Sequence, residues 1–153
     1  MGCRSGEWLW LVAGFGITTL FWGSFSAVRH TDLKAILAYS TVSQLGMILS
    51  MLGVGAAALH FDSIDNNLYI GATAAALFHL INHATFKGSL FMMVGIVDHE
   101  TGTRDIRHLG GLMTVMPITF TIAVIGSFSM AGLPPFNGFL SKEMFFSAML
   151  NIT

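Results

Sequence analysis

The segment Leu77-Phe-His-Leu-Ile-Asn-His-Ala-Thr-Phe-Lys87 places His79, His83 and Lys87 four residues apart. On a helix each step of four turns about 400°, so the three side chains share one stripe, roughly 6 Å apart along the axis. Imidazoles and a primary amine both take up and release protons. A row of them can pass protons along where waters bridge the gaps, since direct transfer needs hydrogen-bond distances. Burying a charged lysine at mid-membrane costs about 2.5–3.5 kcal/mol on insertion scales, which packing alone gives a helix no reason to bear. Blander readings stay open: Lys87 snorkels to an interface or pairs with a carboxylate on another helix, and the histidines are neutral packing residues. Two imidazoles at this spacing can also share a metal ion. The third group on the stripe is a cation and Cys3 is remote, so no metal and no cofactor are expected.

The elements that must carry this stripe follow from the charges. The chain has 153 residues, 54% hydrophobic and only 10% charged, with seven Lys+Arg against eight Asp+Glu. Soluble domains carry about 25% charged residues, so a bilayer is the expected solvent. A net charge of −1 argues against a nucleic-acid partner, which would demand a basic face. The single cysteine, Cys3, supports neither a disulfide framework nor a thiolate metal site. Roughly 20 apolar residues cross a hydrocarbon core about 30 Å thick. Apolar runs of that length predict spans at about 8–28, 34–58, 69–97 and 110–131, with part of a fifth from 137 to 153. The fold class is therefore all-α, a polytopic transmembrane helical bundle with a Pro/Gly-interrupted helix near the C-terminus. One membrane domain is expected over residues 1–153, as the central fragment of a larger protein. Trp8 to Val28 is too long for a signal-peptide core and no clear cleavage site follows it.

Two further segments place polar groups among apolar ones. In Thr31-Asp-Leu-Lys34, continued by Ala-Ile-Leu-Ala-Tyr39-Ser-Thr-Val-Ser43-Gln44, hydroxyls and an amide either hold water or bond to neighbouring helices. Lys34 sits near the helix start, within snorkelling reach. In Ser127-Phe-Ser-Met-Ala-Gly-Leu-Pro-Pro-Phe-Asn-Gly-Phe-Leu-Ser-Lys142, the expected break involves Gly132, Pro134, Pro135 and Gly138, with Lys142 after it. Interrupted helices in transporters free backbone groups that a cavity or ion path satisfies; a plain interhelical turn is the alternative. Gly14, Gly16, Gly23 and Ala27 are expected to permit close helix approach.

The loops sort by charge. Arg29 to Lys34 and Asp98 to His108 fall on one face and hold Arg29, Lys34, Arg104 and Arg107, while His60 to Asn67 holds Asp62 and Asp65. The positive-inside rule puts the first two loops in the cytoplasm.

Three stretches resemble a known family: Thr31 to Gly46, Leu77 to Gly88 and Ala131 to Lys142 look like the antiporter-type subunits. That family unites the proton-pumping membrane subunits of NADH:quinone oxidoreductase with the large subunits of Mrp-type Na+/H+ antiporters. Val97-Asp-His-Glu-Thr-Gly-Thr-Arg-Asp-Ile-Arg-His-Leu-Gly-Gly111 resembles the A-type large subunits of Mrp complexes in particular. The resemblance implies a non-enzymatic, multi-pass component of a hetero-oligomeric antiporter in the bacterial cell membrane, its partners being other subunits, lipid, protons and monovalent cations. It implies Lys87 as a central proton-path lysine, His79 and His83 as its relay, Lys142 as the lysine of a broken helix, and Lys34 as the lysine of an Asp-Leu-Lys motif. The alternative it leaves is a pumping subunit of an NADH:quinone oxidoreductase. The glutamate–lysine pair that the family carries on earlier helices is absent, and Glu7 does not replace it, so the 153-residue chain is not expected to transport alone.

Overall fold

Inside a bilayer no water satisfies the backbone, so a chain this apolar has to close its hydrogen bonds within helices. The computed structural model describes residues 3–60 and 66–150. Their elements, in order, are α1 Cys3–Arg29, α2 Leu33–His60, α3 Asn66–Thr101, α4 Leu112–Val115, α5 Pro117–Ala131 and α6 Asn137–Leu150. Among the described residues the only strand-like feature is an isolated bridge between Asp32 and Asp105. The segments Glu7–Arg29, Leu33–Ala57 and Tyr69–Thr101 are long and apolar enough to cross a membrane, and Pro117–Ala131 is a shorter apolar helix. The loop expected at 60–67, with Asp62 and Asp65, lies largely outside the described residues.

The single helix expected over 110–131 is instead two pieces. Pro117 lacks an amide donor and pushes the preceding residue off helical geometry. Met116 accordingly has φ −136° and ψ 71°, and α5 restarts with Pro117 in its first turn, where a missing donor costs nothing. At the other end α5 stops after Ala131 and α6 begins at Asn137, so the break at Gly132, Pro134 and Pro135 falls where the sequence places it. Gly138 differs: it is helical, in the first turn of α6, and its work is close approach.

Large apolar side chains cover the outside, among them Phe15, Phe21, Trp22, Ile70, Ile81 and Met92, while the buried set includes Ser43, Ser50, His79, Asn82, His83, Lys87 and Ser141. Large apolar side chains outside, and polar ones buried among apolar Leu37, Ile48, Met51, Leu90 and Val94, are what a lipid-facing surface leads one to expect. The antiparallel pair α1 and α2 is knitted by small residues. A Cβ on Gly16 would fall 2.5 Å from Ser50 N, one on Gly23 2.7 Å from Ser43 N, and one on Gly46 2.6 Å from Leu20 N. Gly14 departs from expectation, since nothing lies within 4 Å of its Cβ position and it faces away from this seam. The seam also carries a hydrogen bond of 2.6 Å between the Ser24 and Ser43 hydroxyls. Because the obstacles at Gly46 are backbone atoms, Gly46→Leu has to push the helices apart. We expect it to destabilise the folded chain by about 1–3 kcal/mol or more. A lowered midpoint in a thermal-stability assay of the purified complex checks this, and an unchanged midpoint refutes the close seam.

Candidate functional site

The stripe read from the sequence lies on the buried side of α3, where α2 and α6 pack. His79, His83 and Lys87 are 1%, 4% and 4% exposed, so neither histidine nor lysine reaches lipid or solvent. Apolar residues of the same face close both ends. On one side Ala75 and Ala76 pack with Ile48, Met51 and Phe145. On the other, Leu90 and Val94 pack with Leu37, Leu33, Met93 and Met130.

Each polar group on the stripe has a distinct arrangement. His79 is held from two helices: Nδ1 lies 3.0 Å from Ser141 Oγ on α6 and Nε2 lies 2.9 Å from Gln44 Oε1 on α2. The His79 and His83 ring centroids are 6.3 Å apart, and the edge of Phe86 meets His83 at 5.4 Å. His83 Nε2 is buried without a hydrogen-bond partner among the described residues. Lys87 donates from Nζ to the Leu37 carbonyl at 3.2 Å and to the Ser40 hydroxyl. Among the described residues Lys87 makes no ion pair with a carboxylate. A carbonyl and a hydroxyl hold an ammonium and an amine alike, whereas a carboxylate would tie the group to its charged form.

Lys142 meets the stripe through its neighbour Ser141 and itself turns to the end of α5. There Gly132 adopts φ 81°, and the amides of Gly132 and Leu133 bond back to Ser129 O and Phe128 O. Glycine alone enters that left-handed conformation without strain, and the resulting double turn ends the helix. The next carbonyls, of Met130 and Ala131, are left over, and Lys142 Nζ donates to both at 3.0 and 2.9 Å. A cation at the negative end of a helix is electrostatically well placed. The turn is tied to α3 as well, through Asn82 Nδ2 donating to Asn137 O at 3.4 Å.

Lys34 stands apart from this cluster. Asp32 caps α2, its Oδ1 accepting from the amides of Lys34 and Ala35 at 2.8 and 3.3 Å. The Lys34 ammonium, 45% exposed, lies 3.5 Å from Asp98 Oδ2, and Arg104 Nε lies 3.0 Å from the other oxygen. Main-chain bonds from Leu33 N to Arg104 O and from Ile106 N to Thr31 O, both 3.0 Å, join the two loops that the charge pattern puts on one face. In the same loop Arg107 donates to both oxygens of Asp105, and these hydrogen bonds hold the Asp105 carboxyl down at about 2.

Gln44 and Ser40 stand in a segment singled out for its polar groups, but which groups they meet depends on the α2–α3 register. Ser141 carries no signal beyond its place beside Lys142. Among the described residues no three His, Cys, Asp or Glu side chains gather as metal ligands.

The NADH:quinone oxidoreductase/Mrp antiporter transmembrane family matches residues 1–153. The chain is 71% identical over 149 residues to the Na(+)/H(+) antiporter A subunit of Bacillus subtilis (strain 168), covering 97% of the chain and 18% of that relative. It is 69% identical to the protein of the same name from Alkalihalophilus pseudofirmus, covering 97% of the chain and 19% of that relative. The chain thus spans less than a fifth of the length of these relatives. Its fold matches a chain of the Mrp complex from Dietzia sp. DQ12-45-1b with a TM-score of 0.80 and 44% identity, over 95% of this chain and 15% of that one. With a family match along its whole length and a matching membrane fold, the chain belongs to the NADH:quinone oxidoreductase/Mrp antiporter transmembrane family.

Proposed function

We propose that the chain forms part of the proton-conducting path of a multisubunit Na+/H+ antiporter in the bacterial cell membrane. It acts within a transporter rather than as an enzyme. The observation that carries this reading is Lys87, 4% exposed at the middle of a membrane helix and held only by neutral acceptors. Protons pass along Lys87, His83 and His79, with water bridging the gaps; the unpartnered His83 Nε2 is where such a water gains a hydrogen bond. Lys142, at the α5–α6 break, continues the path on α6. Lys34, at the polar mouth of α2, meets protons from the loop face, which the charge rule assigns to the cytoplasm. Moving one charge through 100 mV is worth about 2.3 kcal/mol, so the membrane potential can drive such steps. The names of the two relatives, both Na(+)/H(+) antiporter components, favour this reading over the oxidoreductase branch of the family. The partners it implies are other antiporter subunits, lipid, protons and a monovalent cation.

The test is Lys87→Arg in the full-length complex, assayed by sodium-dependent proton flux in vesicles. Arginine keeps the positive charge but cannot release a proton. Flux is expected to fall about 100-fold or more, as removal of a proton-transfer group does. Wild-type flux would take Lys87 out of the path.

A further inference from the structure

His79 is bonded on both sides of its ring, and the chemistry of those two partners limits what the ring can do. The amide oxygen of Gln44, 2.9 Å from Nε2, only accepts, so Nε2 carries a hydrogen. Nδ1 is then the nitrogen at which the ring gains or loses a proton. Its partner, the Ser141 hydroxyl at 3.0 Å, both donates and accepts. Ser141 Oγ also has a second acceptor within reach, the Gly138 carbonyl at 3.1 Å. Two hydrogen-bond patterns therefore fit one set of heavy-atom positions. With a neutral ring, Ser141 donates to Nδ1. With a protonated ring, Nδ1–H donates to Ser141 Oγ and the hydroxyl hydrogen turns to the Gly138 carbonyl.

We propose that Ser141 is a positioning residue for His79, a hydroxyl rotor that lets the ring take up and return a proton without moving or losing a hydrogen bond. The proposal rests on the proton-conducting reading above. The incoming proton, carried along that path by protonated water, forms a new O–H bond at Ser141 Oγ as the old O–H bond breaks and its proton forms the Nδ1–H bond. The hydroxyl, again carrying one hydrogen, then turns to the Gly138 carbonyl, and release reverses these steps. At this depth the arrangement matters, because Ser141 is fully buried and His79 is 1% exposed, leaving bulk water unable to supply a substitute partner. With alanine in place of Ser141, a protonated ring would bury an N–H without an acceptor, a penalty that falls on the charged state above all.

The experiment uses the full-length complex, with sodium-dependent proton flux normalised to assembled complex. Ser141→Ala is expected to lower flux about tenfold or more, the cost of one hydrogen bond to a charged group. Ser141→Thr keeps a rotating hydroxyl and, per assembled complex, is expected to retain most of the flux. Wild-type flux in Ser141→Ala overturns the proposal, and so does an equal loss in the alanine and hydroxyl-retaining variants. Lys87→Arg, measured alongside, separates the two claims. If that variant conducts normally, the conduction reading itself falls. If it is inactive while Ser141→Ala conducts normally, only the rotor falls.

Discussion

A chain carrying Gly138→Ala is expected to fail to assemble a conducting complex. A Cβ at Gly138 would collide with Ser129 O and sit 2.8 Å from Ser129 C, both backbone atoms of the last turns of α5. No rotamer change relieves a clash with main chain, so α6 has to back away from α5. That movement strips several contacts at once: Lys142 from the carbonyls of Met130 and Ala131, and Ser141 from His79. The cost should exceed the roughly 1–3 kcal/mol of ordinary overpacking, because the obstacle cannot repack. Blue-native gels of detergent-solubilised membranes, together with proton flux, measure it. A complex that assembles and conducts like wild type would show that the two helices do not meet this closely.

Lys142 offers a second large effect and a way to divide its two duties. As a cation it satisfies two carbonyls at the end of α5; as an amine it belongs to the proposed path. Lys142→Met removes both, and the loss of two hydrogen bonds to a charged donor is expected to destabilise the α5–α6 junction by about 3–6 kcal/mol before relaxation. Lys142→Arg keeps a cation for the carbonyls but holds its proton permanently. Its expected signature is near-normal assembly with proton flux lost. If the arginine variant conducted as well as wild type, the residue would be a helix cap and nothing more; if the methionine variant assembled with an unchanged melting midpoint, the cap would be dispensable.

Much of this architecture was legible because the signals are local. A spacing of four puts His79, His83 and Lys87 on one stripe whatever surrounds the helix, and the structure buries all three. The end of α5 follows from Gly132 and the prolines after it. The split at Met116 follows from Pro117 by the same logic, yet the hydropathy of 110–131 hides it, since proline breaks a helix without making it polar. Register is another matter. Gln44 meets His79 across 35 positions and Ser141 meets it across 62, and such pairings depend on how deep each helix sits. Gly14 and Gly16 differ by two positions, about 200° around a helix, and only the second faces α2. Lys34 already stands apart in sequence, near the start of its helix; its partner there, the Asp98 carboxylate 64 positions away, is not legible.

The apolar clusters at either end of the α3 stripe carry a consequence for energy conservation. If the proposed proton path runs along this helix, an uninterrupted aqueous thread there would dissipate the gradient that path draws on. Ala75, Ala76 and Met51 stopper one end, while Leu90 and Val94 stopper the other. On the proposed path, protons would therefore reach and leave the stripe sideways, past the polar side chains that α2 and α6 turn toward it: Gln44, Ser40 and Ser141.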